Sequence, residues 1–369
     1  MAHPHWRWHV AGAALLAAVV FQLPKYHHLY AQLIAHTEPL PESLGRIEEQ
    51  AAHPFAPHAD PAATHLAKMS FRLAVPLLLR VLHLPLVALV ALQAVIGLLT
   101  FYYAAGLLAA SQRDRVAAAL LVVALSRTYF GYAFTYDLVG YFDGFGYAAL
   151  LYLLGARRWW LVFAVLLAAA FVDERVLVAS PLLLVAYGAR RYHWQAVGHR
   201  WLLAAPATAV YAAWGTYAAV RLALAARYHL PTAGGLVGRS ALAFSFQHEL
   251  VALGFADSFK SFWLPVALAV AWLGHERRWP LLAVLLAGFA PIFLGSFLIT
   301  DITRSLSYGL PMAFLCLALL ARHSSLPARR HLAATVLFFA LLMPSYFTTG
   351  WLQYAGPAWQ VALRQWLMH

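Results

Sequence analysis

Charge is what this sequence has least of. Only 11% of its 369 residues are Asp, Glu, Lys or Arg, against about a quarter in soluble domains. Hydrophobic residues reach 63%, and the mean hydropathy is +0.68. That balance excludes a water-soluble fold, and the 14% aromatic content excludes a disordered one. Cysteine is nearly missing. Cys316 stands alone in an apolar run, which excludes a disulfide framework and a cysteine zinc site. Lysine is scarce as well, with 3 residues beside 23 arginines, and 14 acids face 26 bases. A formal charge of +12 would suggest nucleic acid in a soluble protein; here the placement of the bases has to be read first.

What is present is a series of apolar runs, at about 10–24, 84–109, 116–136, 143–156, 159–172, 176–189, 201–220, 262–274, 279–299, 305–321 and 332–347. At about 20 apolar residues per span they predict an all-α, polytopic membrane protein of about eleven transmembrane helices. Residues 1–369 form one membrane domain, with no evident repeat or low-complexity linker. The first run is not read as a cleaved signal, because it lacks a small-residue exit and Pro24-Lys25-Tyr26 follows directly. With the N-terminus inside, the inner connections hold thirteen arginines, from Arg7 and Arg113 to Arg329 and Arg330, with only Asp114 and Glu276 as acids. Every second loop then obeys the positive-inside rule, and the C-terminus falls outside. The basic excess is a topology signal, so no nucleic-acid partner is expected. Inner loops are short and carry no glycine-rich phosphate loop. Outer loops are long, at 25–83 and 221–261. Any chemistry is therefore expected on the outer face.

Five ionisable residues sit away from both surfaces. Asp143 is 14 residues from Arg157, Asp173 is 15 from Arg158, Arg175 is 15 from Arg190 and Arg127 is 12 from Arg115. At about 1.5 Å per residue these lie roughly 18–22 Å up from the inner anchors. Glu174 completes the set. The hydrocarbon core is about 30 Å thick, and an unpaired charge within it costs at least about 2.5–3.5 kcal/mol. One water-filled cavity, open to the outside and shared by all five, is the expectation. The bland alternative makes Asp173 a helix cap at the tip of the hairpin 159–189, and Asp143-Gly144 a capped turn.

Other groups carry weaker signals. The stretch 64–82, with Pro76, reads as an interfacial helix in the first outer loop. His65, Lys68 and Arg72 would share one face of it and hold a lipid phosphate, or simply snorkel. Asp301 and Arg304 form either a cap with a local ion pair or a second phosphate contact. Glu42–Gln50 reads as a short helix with Leu44 and Ile47 on one face, and Glu48 and Glu49 mostly toward water. Glu38, between Thr37 and Pro39, is the better candidate for a fixed carboxylate. No cofactor is called for. A divalent cation at His53, His58 and Asp60 is the one metal candidate. The aromatics of 129–147 read as a membrane belt or as a sugar-stacking wall.

These features together resemble the GT-C class of membrane glycosyltransferases: a first helix, a long outer loop with carboxylates and an interfacial helix, about eleven spans, and outward acids beside arginine. Phe71-Arg-Leu-Ala-Val-Pro-Leu77 also looks like an FR-x-x-x-P element of bacterial membrane proteins of this kind. The resemblance is one of architecture and carries no subfamily signature. It implies transfer of a sugar from a polyprenyl-phosphate carrier, the lipid-linked donor, to an acceptor on the outer face of a bacterial plasma membrane. The class places an acidic base soon after the first helix, which Glu38 matches loosely; the paired acidic motif is absent. The residues themselves point to Asp143 as base, then Glu174, Asp173 and Glu38, with Arg175, Arg304, Lys68 and Arg72 around the phosphate. Two alternatives stay open: a secondary transporter with a charged relay of Arg127, Asp143 and Asp173, and a polymerase or ligase of the O-antigen type.

Overall fold

The computed structural model describes residues 5–22, 26–56, 69–135, 142–192, 194, 205–230, 251–298, 301–348 and 352–354. His58, Asp60, His65 and Lys68, and with them the proposed metal group and most of the phosphate face, lie outside the described residues.

The described chain is almost wholly helical, and each of the eleven apolar runs contains a helix. In chain order these elements are α1 (Trp6–Gln22), α2 (Tyr26–Leu33), α3 (Glu42–Ala52), α4 (Ala74–Leu82), α5 (Leu86–Gln112), α6 (Arg115–Leu125), α7 (Tyr129–Tyr132), α8 (Asp143–Gly155) and α9 (Trp159–Ala170). There follow α10 (Arg175–Ala179), α11 (Pro181–Arg191), α12 (Ala205–Tyr228), α13 (Trp263–His275), α14 (Trp279–Phe297), α15 (Ile302–Ser307), α16 (Pro311–His323) and α17 (Leu326–Leu342). A short antiparallel hairpin, β1 (Tyr346–Thr348) with β2 (Leu352–Tyr354), follows them, pairing Tyr346 with Tyr354. Among the described residues, three helical segments are long and apolar enough to cross a membrane: Leu86–Gln112, Val251–His275 and Trp279–Phe297. Trp6–Phe21, Arg115–Leu125, Trp159–Ala170 and Pro311–His323 are shorter apolar helices. This set fits a membrane protein.

The helices pack into one extended core. α1 lies against α5 and α6, α6 against α17, α9 against α12, α11 against α14, and α13 against α16. Small residues set the closest approaches: Ala11, Ala14, Ala104, Ala105, Ala117 and Ala118 are all fully buried, as expected where apolar helices associate by backbone proximity.

A second, smaller core matters more for the charged residues. Leu33, Leu44, Ile47, Met69, Val75, Leu86, Leu89, Phe142 and Val172 bury one another. Phe142 precedes Asp143, and Val172 precedes Asp173. Met69 and Val75 flank Arg72. The segment 26–89 is thus packed directly on the backbone that carries the buried charges, as far as its described residues show. Gln50 reinforces it, with Nε2 donating to Met69 O at 3.1 Å and to Ser70 O at 3.4 Å. The Ala74 N–H donates to Phe171 O at 3.0 Å, tying the start of α4 to the turn after α9.

α3 behaves as its pattern predicts. Leu44 and Ile47 are buried, while Glu48 and Glu49 are exposed. The interfacial helix differs. α4 begins at Ala74, with Pro76 in its first turn, where a missing N–H has no partner to lose. Met69 is helical too, and Arg72 lies in the break at 70–73 between it and α4, buried and paired with Asp173.

On the basic side, Asp114 caps α6, accepting from the Val116 and Ala117 N–H groups at 3.2 and 3.3 Å. Arg330 of α17 grips the same carboxylate, with Nε–Oδ2 at 2.8 Å. The guanidinium hydrogen bond and the two N–H groups hold the Asp114 pKa below the usual carboxylate range. A lowered folded pKa means stability present above the unfolded value and lost as pH falls through the folded one. Asp114→Ala should remove about 1–2 kcal/mol, the range for losing such a cap. Thermal unfolding at neutral pH should show this difference. It should narrow below the unfolded carboxylate pKa, because the wild type then loses the same interaction.

Candidate functional site

Four stretches far apart in sequence meet at one charged cluster: the turn before α4, the start of α8, the tip between α9 and α10, and α15. The tip is its centre. Asp173 Oδ1 accepts from the Arg175 backbone N–H at 2.9 Å and from Arg175 Nε at 2.8 Å, and Oδ2 accepts from Arg175 Nη2 at 2.6 Å. Asp173 is therefore a turn former and half of a bidentate ion pair at once. Arg72 Nη2 approaches the same Oδ2 at 2.8 Å, and Arg72 Nε lies 3.7 Å from Glu174 Oε2.

Arg175 joins the tip to α8 and α15. Its Nη2 lies 3.4 Å from Asp143 Oδ1, and its Nη1 donates to Ser305 Oγ at 2.8 Å. Asp143 Oδ1 also accepts from Tyr308 Oη at 2.8 Å, while Oδ2 lies 3.1 Å from Arg304 Nε. The same Arg304 Nε sits 2.7 Å from Asp301 Oδ2. Tyr147 Oη, one turn along α8, donates to the Arg304 carbonyl at 2.8 Å and fixes the backbone of α15. Gly146 lets Tyr308 and Val176 pack closely against α8. A Cβ there would stand 3.0 Å from a Tyr308 ring carbon and 2.9 Å from Val176.

The outcome is three guanidiniums, Arg72, Arg175 and Arg304, among four carboxylates, Asp143, Asp173, Glu174 and Asp301. Asp143 and Asp173 are 0% exposed; Glu174 alone keeps a side chain 26% exposed. Phe142 occupies the left-handed region at φ 61°, which turns the chain so that α8 begins at Asp143 inside the cluster. For a bulky residue that conformation costs of the order of 1–3 kcal/mol and persists only where packing enforces it; the buried Phe142 ring in the small core supplies that packing.

Several expectations need correction. The tip and Asp143 do meet, in direct contact and not across a water. The contact is ion-paired and closed around Asp143 and Asp173, where a water-filled cavity was expected. Asp143 is no turn cap, since its carboxylate is engaged by Tyr308, Arg175 and Arg304. Arg127 belongs to a separate group. Its guanidinium lies 3.4 Å from the centre of the Phe21 ring and borders a small pocket with Ser126, Thr128, Asp257 and Ser345. Nearby, buried Lys260 lies 3.9 Å from Asp257 and donates to Ser345 Oγ. Glu38 pairs with His28 Nδ1 at 3.1 Å, away from the cluster's ion pairs. Asp301 keeps the local pair with Arg304 but makes no side-chain cap.

The aromatics of 129–147 are neither belt nor open wall where described. Tyr129, Phe130, Tyr132, Phe134, Phe142 and Tyr147 are buried, and Phe130 stacks on Tyr147 at 5.5 Å. Tyr136 and Tyr141 lie outside the described residues. Tyr308 and Ser305 were not singled out from the sequence. The available signal was the polar run Thr303-Arg-Ser-Leu-Ser-Tyr308 inside an apolar stretch. At the exposed side of the tip, Arg221 of α12 lies over the Phe71 ring at 4.3 Å and donates to Tyr217 Oη at 3.0 Å.

Comparison of the chain with protein-family models, with curated proteins and with solved structures gave no match in any of the three.

Proposed function

We propose that the chain is a polytopic glycosyltransferase of GT-C-like architecture. In this reading about eleven helices cross a bacterial plasma membrane, with the N-terminus inside and the C-terminus outside. The enzyme moves a sugar from a polyprenyl-phosphate carrier to an acceptor on the outer face. One observation carries the reading: guanidiniums from three distant segments converge on buried aspartates, with one accessible carboxylate, Glu174, at their edge.

The chemistry follows from the groups. A polyprenyl phosphate leaves as an anion and needs cations around its oxygens. A guanidinium has five N–H donors in a planar fork, more than one carboxylate can use. Arg72, Arg175 and Arg304 are the cations in this reading, held in place by Asp173, Asp143 and Asp301. The base takes the acceptor hydroxyl proton as the oxygen attacks the anomeric carbon; the carbon–oxygen bond to phosphate breaks with its electrons, and configuration inverts. Access favours Glu174 as that base. Asp143, the first choice on sequence depth, and Asp173 then act as positioning residues, and Glu38 lies with His28.

A secondary transporter is the second reading. The complete burial of Asp143 and Asp173 within one linked chain of ion pairs supports it, since intramembrane charges commonly form relays. Reconstituted protein supplied with a set of polyprenyl-phosphate sugars should release polyprenyl phosphate and glycosylate an added acceptor. Solute uptake into the vesicles without any release would decide for transport, and growth of a polymer on the lipid for the polymerase.

A further inference from the structure

A large cavity lies at the arginine-rich ends of the helices, away from the Asp143 cluster. It has a volume of about 1010 Å³, at the upper end of the range of small-molecule sites. Arg113, after α5, and Arg329, on α17, stand on one side. Arg157, before α9, and Arg190 and Arg191, at the end of α11, also line it. Arg278, before α14, and Arg322, in the last turn of α16, complete the set. Seven arginines thus line one space, and no Asp or Glu is among its described lining residues.

Two bland explanations fall short. The positive-inside rule puts arginine in inner loops, but it does not gather seven of them around one cavity. Compensation of helix dipoles is the other. α5, α8, α11 and α16 end at the cavity, but α9, α12, α14 and α17 begin there, so the negative and positive dipole ends roughly cancel. Helix dipoles therefore leave the seven arginines uncompensated. Some of the heads are also pre-set. Arg329 Nη1 donates to Gln112 O, Arg190 Nη2 donates to Ala156 O at 3.3 Å, and Arg278 lies over the Trp272 ring at 5.2 Å. Heads already held lose less freedom on binding. Ala156, Ala318 and Trp194 add apolar surface beside the charges.

We propose that this cavity is a binding site for a multiply phosphorylated anion, either the headgroup of an anionic phospholipid or a soluble diphosphate. Guanidinium forks match phosphate oxygens in pairs, and basic pockets between helices on this side of a membrane suit phosphate headgroups. The site is separate from the Asp143 cluster, and its existence does not depend on the glycosyltransferase reading.

The test compares two variants of equal charge. Arg157→Gln/Arg278→Gln/Arg322→Gln removes three exposed cavity arginines. Arg115→Gln/Arg158→Gln/Arg277→Gln removes three exposed ones outside the lining. The probes are nanodiscs of phosphatidylcholine with and without cardiolipin, and inorganic pyrophosphate. Lipid retention is read by native mass spectrometry, and pyrophosphate binding by calorimetry. The wild type should bind at least one probe. The cavity variant should bind it roughly a hundredfold more weakly, at about a fivefold loss per arginine near a surface, while the control stays near wild type. Retention of cardiolipin alone identifies the lipid source, and binding of pyrophosphate alone the soluble one. Equal weakening in both variants, or no binding of either probe to the wild type, overturns the proposal. If the triple variant fails to fold in phosphatidylcholine alone, Arg157→Gln should still show about the fivefold loss.

Discussion

Asp143→Asn should destabilise the protein by about 3–5 kcal/mol, the cost of removing one partner from a buried ion pair. Asp143 is fully buried, accepts from Tyr308, and lies 3.4 Å from Arg175 and 3.1 Å from Arg304. Asparagine keeps the volume but leaves two guanidiniums facing a neutral amide. Its NH₂ group also presents donors where the site needs acceptors. Thermal or denaturant unfolding in detergent measures the loss. A change below about 1 kcal/mol, the scale of an exposed pair, would mean that Asp143 contributes no more than a surface charge. The double variant Asp143→Asn/Arg304→Gln should not recover the loss, because it also takes from buried Asp301 its partner at 2.7 Å.

Glu174→Gln should do the opposite: little to stability, much to turnover. Its contact with Arg72 is long, at 3.7 Å, and its side chain is partly exposed. Such a pair is worth about 0–1 kcal/mol. If Glu174 takes the acceptor proton, glutamine should lower the transfer rate by about 10²–10⁴-fold, the usual contribution of a general base. Transfer at near wild-type rate in a well-folded Glu174→Gln protein would move the role of base elsewhere. Comparison of the two variants separates holding the arginines from proton transfer.

Much of the helical content was legible, because it rests on local patterns. Each apolar run holds a helix, and the spacing of Leu44 and Ile47 against Glu48 and Glu49 read α3 correctly. Distance from the inner arginines also brought Asp143 and the 173–175 tip to one level, and they touch. The same reasoning failed for Arg127. Depth is one coordinate of three, and two residues at one level can stand on different sides of a helical bundle. Arg127 faces Phe21 and the Asp257 pocket. Tyr308 and Ser305 were hidden for a related reason: only the packing of α15 on the α8 and tip segments makes them neighbours of Asp143 and Arg175. Arg72 was misread because one helix was assumed across 64–75, whereas the chain breaks at 70–73 and Arg72 sits in that break, paired with Asp173.

The wide sequence spacing of the charged cluster bears on how the protein is made. Tyr308 and Asp143 are 165 residues apart, and synthesis delivers the N-terminal part first. A nascent chain that has reached the 173–175 tip already carries Asp143, Asp173 and Glu174, with Arg72 and Arg175 as their mates. Arg304 and Tyr308 do not yet exist. At that stage Asp143 has Arg175 beside it but neither the Tyr308 hydroxyl nor the Arg304 guanidinium. Residues 301–308 act as a late bolt: they bring both groups, and with them Asp301, so their docking leaves the net charge of the cluster unchanged and completes the contacts of Asp143. A chain that stops short of the bolt leaves a buried aspartate without two of its partners.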